Sequence, residues 1–178
     1  RAPLCGLETL DHRNNVIYNY KSPLQWHPTR MNQQRPNQPF KANVVGNYFK
    51  AGPNVPRQAS EDKLDRMMWK RPWVHLYAAD NYFDWAGRVA EPTVGRFAPP
   101  ATTTQPTEEI LSAEKPWPAP AVKTESAKDA YDSVLRLAGC LPRDAVSKRA
   151  VQEVRGGGGA WGRHDPPGGL MEGLTPGK

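Results

Sequence analysis

The residues of this 178-residue chain best suited to chemistry are its dispersed cations. Arg13, Lys21, Lys41 and Lys50 each lie near the end of a short apolar run. Cations carried at strand ends can line a groove and hold a polyanion; the plainer alternative for each is a solvated surface charge. The acidic residues fall into two small sets. Glu61, Asp62 and Asp65 stand where the first turn of a helix would begin, a position favoured by the helix dipole. Asp80 and Asp84 flank an expected strand corner. Neither set supplies the roughly six to eight oxygens that calcium takes, so no metal site is assigned. His12, His27, His75 and His164 lack zinc-ligand spacing. Gly156 to Gly159 follow a helical pattern without the Lys-Ser/Thr ending of a phosphate loop and read as a linker. Trp26, Trp69, Trp73 and Trp85 could stack on sugar rings, although packing beneath long loops is the simpler use.

Composition limits the scaffold that could position these residues. With 38% hydrophobic residues, 19 Pro and 15 Gly, the chain is poor material for one compact core, and long irregular loops are expected. The net charge of +6 is spread without a block of like charges. It favours polyanions in general, but no nucleic-acid-recognition motif accompanies it, and nucleic acid is not the expected partner. Cys5 and Cys140 are too few for a disulfide framework and leave the compartment open. No apolar run approaches the roughly 20 residues of a membrane span, and no signal peptide is visible. The chain opens on Arg1 rather than Met, nearly inside an apolar segment, which reads as a processed or truncated piece.

One phrase is written three times, as NVIYNYK (15–21), NVVGNYFK (43–50) and LYAADNYFD (76–84). Aligned on Asn19-Tyr20, Asn47-Tyr48 and Asn81-Tyr82, the copies are spaced by 28 and 34 residues. Each reads as a β-favouring run closed by an Asn, which tolerates the left-handed backbone of a corner. Strand, corner, insertion, strand is the pattern of a β-solenoid; chance similarity or hairpin strands are the alternatives. Between the second and third copies, Ser60-Glu61-Asp62 before Leu64, Met67 and Met68 suits a short capped helix ended by Pro72. Six prolines within 97–122 predict an extended segment crossing a surface, with Trp117 as an anchor. Ser126 and Asp129 resemble a capping box before the stripe Ala127, Ala130, Tyr131, Val134, Leu135 and Ala138. A second helix is expected over about 143–154, making an αα-hairpin. The expected organisation is strands with inserted loops and a short helix over 1–96, the Pro-rich segment over 97–122, the hairpin over 123–155 and a flexible tail over 156–178.

Four stretches together are similar to the C-terminal part of pectate-lyase-like proteins of polysaccharide lyase family 1. They are RAPLCGLETLDHRNNVIYNY, KANVVGNYFKAGPNVP, VHLYAADNYFD and SAKDAYDSVLRLAGCLPRDAVSKRAVQEVR, in the family's order and spanning most of residues 1–155. The resemblance implies a mainly β fold, the last rungs of a right-handed parallel β-helix with long irregular loops and the C-terminal αα-hairpin, with stacked Asn side chains at one corner. It implies a secreted protein that cleaves polygalacturonate by calcium-assisted β-elimination. By the same resemblance Arg1, in Arg1-Ala2-Pro3, matches the family's catalytic base, which needs cationic surroundings to lower its pKa. A further Arg commonly follows in the family, whereas Leu4, Cys5 and Gly6 follow here.

The calcium ligands of the family lie on rungs upstream of the matched stretch. The expectation is a C-terminal portion, inactive as an isolated chain, whose partners are acidic polysaccharide and the missing N-terminal part. The alternative from another class is a non-enzymatic structural protein threading through a large assembly, consistent with the extended Pro-rich text and weak core.

Overall fold

The computed structural model describes residues 4–5, 9–20, 24–26, 40–54, 68–69, 74–85, 88–90, 115–139 and 141–159. Its strands are β1 (Leu4–Cys5), β2 (Thr9–Arg13), β3 (Val16–Tyr18), β4 (Leu24–Trp26), β5 (Phe40–Val45), β6 (Tyr48–Lys50), β7 (Met68–Trp69), β8 (Val74–Ala79), β9 (Tyr82–Trp85) and β10 (Arg88–Ala90). Two helices follow, α1 (Ala127–Leu137) and α2 (Ala145–Gly156).

Every third strand pairs. The sheets run β1-β4-β7, β2-β5-β8 and β3-β6-β9-β10, parallel throughout except that β10 lies antiparallel on β9. Each repeat therefore contributes one strand to each of three sheets, and the sharp turn between its second and third strands recurs at one place. That turn needs a left-handed residue, met by Asn14, Gly46 and Asp80 with φ of 50°, 63° and 52°. Gly46 is also fixed by space: a Cβ there would lie 2.6 Å from Asn14 Nδ2 and 2.6 Å from the Glu125 carbonyl.

The residue after each left-handed position is Asn15, Asn47 or Asn81. Asn47 Oδ1 accepts from the Asn15 main-chain N–H and from Asn15 Nδ2, both at 3.0 Å. Asn81 Oδ1 accepts from the same two groups of Asn47 at 3.2 and 2.9 Å. Asn47 Nδ2 also donates to the His12 carbonyl at 2.8 Å, and Asn81 Nδ2 to the Val44 carbonyl at 2.7 Å. Asn47 and Asn81 are buried, so these bonds answer donors and acceptors that would otherwise be stranded.

This register corrects the alignment on Asn19-Tyr20. Val16 pairs with Tyr48 and Ile17 with Phe49, so Asn15 occupies the ladder position and Asn19 sits four residues on, itself left-handed at φ 49°. The spacings are 32 and 34 residues. The second and third phrases straddle the corner and join two strands, whereas the first starts past it at Asn15 and runs through β3 to the left-handed Asn19.

Strand alternation sets the core. Leu10, Ala42 and Leu76 line up across β2, β5 and β8, as do His12, Val44 and Ala78. On β3, β6 and β9 the inward set is Ile17, Phe49 and Phe83, with Phe49 and Phe83 stacked at 4.7 Å between centroids. Phe40 and Tyr20 complete the cluster. In-line stacking of like residues lets a thin core fill without a long apolar sequence, which offsets the modest hydrophobic content.

Met68–Trp69, expected in a short helix, forms β7, paired in parallel with Leu24 and Gln25. There the inter-strand pairing overrides local helix preference. The remainder of that expected helix, residues 60–67 and 70–72, lies outside the described residues, as do residues 97–114 of the Pro-rich segment.

Residues 115–126 run as an extended strap over the outer face of β2-β5-β8. Asn43 pins it by two bonds to Trp117, Nδ2 to the carbonyl at 2.9 Å and the Trp117 N–H to Oδ1 at 2.8 Å. Asn14 repeats the arrangement at Glu125, at 2.7 and 2.9 Å. Each carboxamide thus presents the donor–acceptor pair of a neighbouring strand to a segment whose prolines keep it from joining a ladder.

The strap feeds α1. Ser126 caps it, its side chain accepting from the Asp129 N–H at 3.2 Å. Asp144 caps α2 through the Ser147 N–H at 2.6 Å. Gly156 to Gly159 end this helix: Gly157 is left-handed at φ 71°, and the Gly158 N–H bonds the Glu153 carbonyl at 3.0 Å. Residues 160–178 lie outside the described residues.

Candidate functional site

Three of the five candidate site cations, Arg13, Lys41 and Lys50, are among the described residues. Arg1 and Lys21 are not. Arg13 and Lys41 point away from the core on β2 and β5. Lys41 pairs with Thr9, four residues from Arg13, so the two cations stand about 13 Å apart along the strands at roughly 3.3 Å per residue. Lys50 lies on the outer face of a different sheet. The structure does not gather these three into one groove.

Each of the three has an internal partner. Arg13 Nε donates to Asp11 Oδ1 at 2.6 Å, and Arg13 Nη1 to Thr124 Oγ1 of the strap at 3.3 Å. Lys41 Nζ sits 4.9 Å from the ring centroid of Trp117, and the indole N–H donates to the His75 carbonyl at 3.0 Å. These contacts hold Trp117 against the sheet, where the cation–π attraction adds to its buried area.

Lys50 belongs to the joint between sheet and helices. Its ammonium donates to Tyr131 Oη and to the Arg155 carbonyl, each at 3.2 Å, and lies 4.0 Å from Asp84. The Arg155 carbonyl is at the C-terminal end of α2, where orphan carbonyls and the negative end of the helix dipole favour a cation. Tyr18 donates to the Gly158 carbonyl at the same helix end, and Tyr131 to the Val154 carbonyl at 3.4 Å. Tyr48 packs against Tyr131 and Tyr82 at 4.4 and 4.9 Å between centroids and donates to Asp84 Oδ2 at 3.0 Å. Burial, with Asp84 beside it, holds the Tyr48 phenol protonated well above the usual tyrosine range.

The described acidic groups do not fit calcium. Among the described residues no group of three or more His, Cys, Asp or Glu side chains comes together to hold a metal. Asp11 is engaged by Arg13, Asp84 by Tyr48 and Lys50, and Asp80 is exposed at its corner.

Sequence reasoning missed two residues of consequence. His12 faces inward beside Val44, its Nε2 buried without a hydrogen-bond partner and its Nδ1 3.2 Å from Asn15 Nδ2. Burial lowers its pKa to about 4 despite the neighbouring Asp11. Its place on the inward side of the alternating run Leu10-Asp11-His12 was the available signal. Asn43 was missed as a strap anchor because nothing local marks a carboxamide whose partner lies 74 residues on.

Among the described residues no helix is long and apolar enough to cross a membrane. No family model, no curated protein and no solved structure matches this chain.

Proposed function

We propose that the chain is the C-terminal part of a secreted pectate-lyase-like protein: the last rungs of a right-handed parallel β-helix that works on polygalacturonate. The observation that carries this reading is the stacked corner of Asn15, Asn47 and Asn81 in parallel register, the arrangement that the resemblance implies. In this account Arg13, Lys41 and Lys50 serve the scaffold, holding the strap and the two helices. Contact with the acidic polymer then falls to Lys21 and, by resemblance, to Arg1 as the base of β-elimination. Calcium, where the whole protein uses it, is held by residues other than those described.

Affinity electrophoresis through gels containing polygalacturonate tests the proposal, with polyglutamate of matched charge as the comparison. The expected result is stronger retardation by polygalacturonate, reduced by Lys21→Ala. Equal retardation by both polymers reduces the interaction to net positive charge and overturns the reading.

A further inference from the structure

We infer that residues 118–124, the exposed arch of the strap, form a processing site. The Lys123–Thr124 bond is placed for hydrolysis by an endopeptidase with an acidic specificity pocket, and the cut chain stays assembled. This concerns the strap and stands or falls apart from the polysaccharide reading.

The strap is held at its ends and open between them. Asn43 grips both main-chain groups of Trp117, and Asn14 grips those of Glu125. Residues 118–124 are all exposed, with the Lys123 side chain at 88%. Among the described residues, the main-chain groups of this arch enter no strand pairing or turn, and its one bond to the sheets runs from Arg13 to Thr124 Oγ1 at 3.3 Å. An endopeptidase takes its substrate as an extended chain and uses the main-chain groups around the scissile bond for itself. A strand or a helix must open locally before it can offer them. The arch offers them as it stands, because Pro118 and Pro120 keep it extended and out of any ladder.

Position then selects one bond. Lys41 and Lys50 lie in β5 and β6, and Lys128 and Lys148 in α1 and α2. Lys115 precedes Pro116, whose ring replaces the N–H beyond the bond. Lys123 alone among the described lysines stands in open chain followed by a residue other than proline. Its ammonium suits a pocket ending in a carboxylate, the device by which a serine endopeptidase chooses a cation. Its own pair with Glu125, at 4.0 Å, is solvent-exposed and weak. In the reaction the C–N bond breaks and water supplies the new C–O bond. Lys123 ends as a carboxylate, and both hydrogens of the water finish on the Thr124 nitrogen as an ammonium.

The cut falls between the two pins, so each piece keeps one. Trp117 remains on Asn43, while the piece beginning at Thr124 keeps the Asn14–Glu125 bonds, the buried Ala127, Ala130 and Leu135, and the bond from Lys50 to the end of α2.

The test treats the full chain with a lysine-specific serine endopeptidase, in buffer and in urea kept below the unfolding transition. Mass spectrometry follows each bond, and size-exclusion chromatography follows the products. The bond after Lys123 is expected to be cut at least tenfold faster than those after Lys41, Lys50, Lys128 and Lys148, at a rate that does not rise with urea. The piece beginning at Thr124 is expected to elute with the sheets and to separate from them only on denaturation. A Lys123 bond cut no faster than the others, or one whose cleavage climbs with urea as theirs does, shows that the strap must first open and overturns the proposal. Elution of the Thr124 piece by itself overturns it as well.

Discussion

The ammonium of Lys50 lies 3.2 Å from the main-chain carbonyl of Arg155, 105 residues further along the chain. A cation that reads in sequence as a groove residue is thus the tie between the sheets and the end of the last helix. Lys50→Met keeps the stem but removes the charge and its donors. Hydrogen bonds from charged groups to helix ends support a loss of about 1–2 kcal/mol in urea unfolding. Retardation by polygalacturonate is expected to stay unchanged; a selective loss of that retardation with stability intact would return Lys50 to the binding site.

Asn47 is the only ladder member among the described three with a neighbour on both sides. Asn47→Ala strands donors and acceptors in a buried place and is expected to cost about 2–3 kcal/mol. Asn15→Ala, at the partly exposed end, is expected to cost less. Chemical denaturation of the two variants checks the order, and equal costs would argue against the ladder as a stacked unit.

Asn43 holds the strap by two hydrogen bonds, with Trp117 as the nearby anchor. Asn43→Ala should free residues 115–126 before the sheets unfold. Limited proteolysis is expected to cut within this segment several times faster than in the parent chain, with a red shift in Trp117 emission.

His12 supplies a pH dependence. Burial lowers its pKa from 6.5 to about 4, so the unfolded chain binds the proton more readily than the folded one. Between those values stability rises with pH: the neutral imidazole's contribution is complete above about 6.5 and is lost as pH falls toward 4. A displacement of this size corresponds to about 3 kcal/mol at most. Unfolding curves from pH 4 to 7 are expected to flatten in His12→Gln by a comparable amount, whereas an unchanged slope would place the titration elsewhere.

The repeated phrase was legible, but its frame was not. The first copy opens on Asn15 and also carries Asn19, and matching the longer string Asn-Tyr chose the wrong one. A test was present in the residues: the Asn19 frame puts Lys21 level with Phe49 and Phe83, in the core, while the Asn15 frame puts Ile17 there. The cap of α1 was readable because Ser126 acts within three residues, whereas Asp144, which caps α2, fell inside the helix expected over 143–154. The roles of Arg13, Lys41 and Lys50 were not, because their partners at Thr124, Trp117 and Arg155 lie far along the chain and local pattern carries no record of them.

Register is the claim on which the fold and the reading of every site residue depend, and disulfide trapping measures it directly. In a Cys5→Ser, Cys140→Ser background, one variant carries Thr9→Cys with Lys41→Cys and a second carries Arg13→Cys with Lys41→Cys. Thr9 and Lys41 are direct neighbours on parallel strands, within the Cα separation a disulfide spans, whereas Arg13 is displaced along its strand by four residues. The account predicts rapid intramolecular oxidation in the first variant and little in the second. Preferential oxidation of the Arg13–Lys41 pair would restore the Asn19 frame and contradict the ladder.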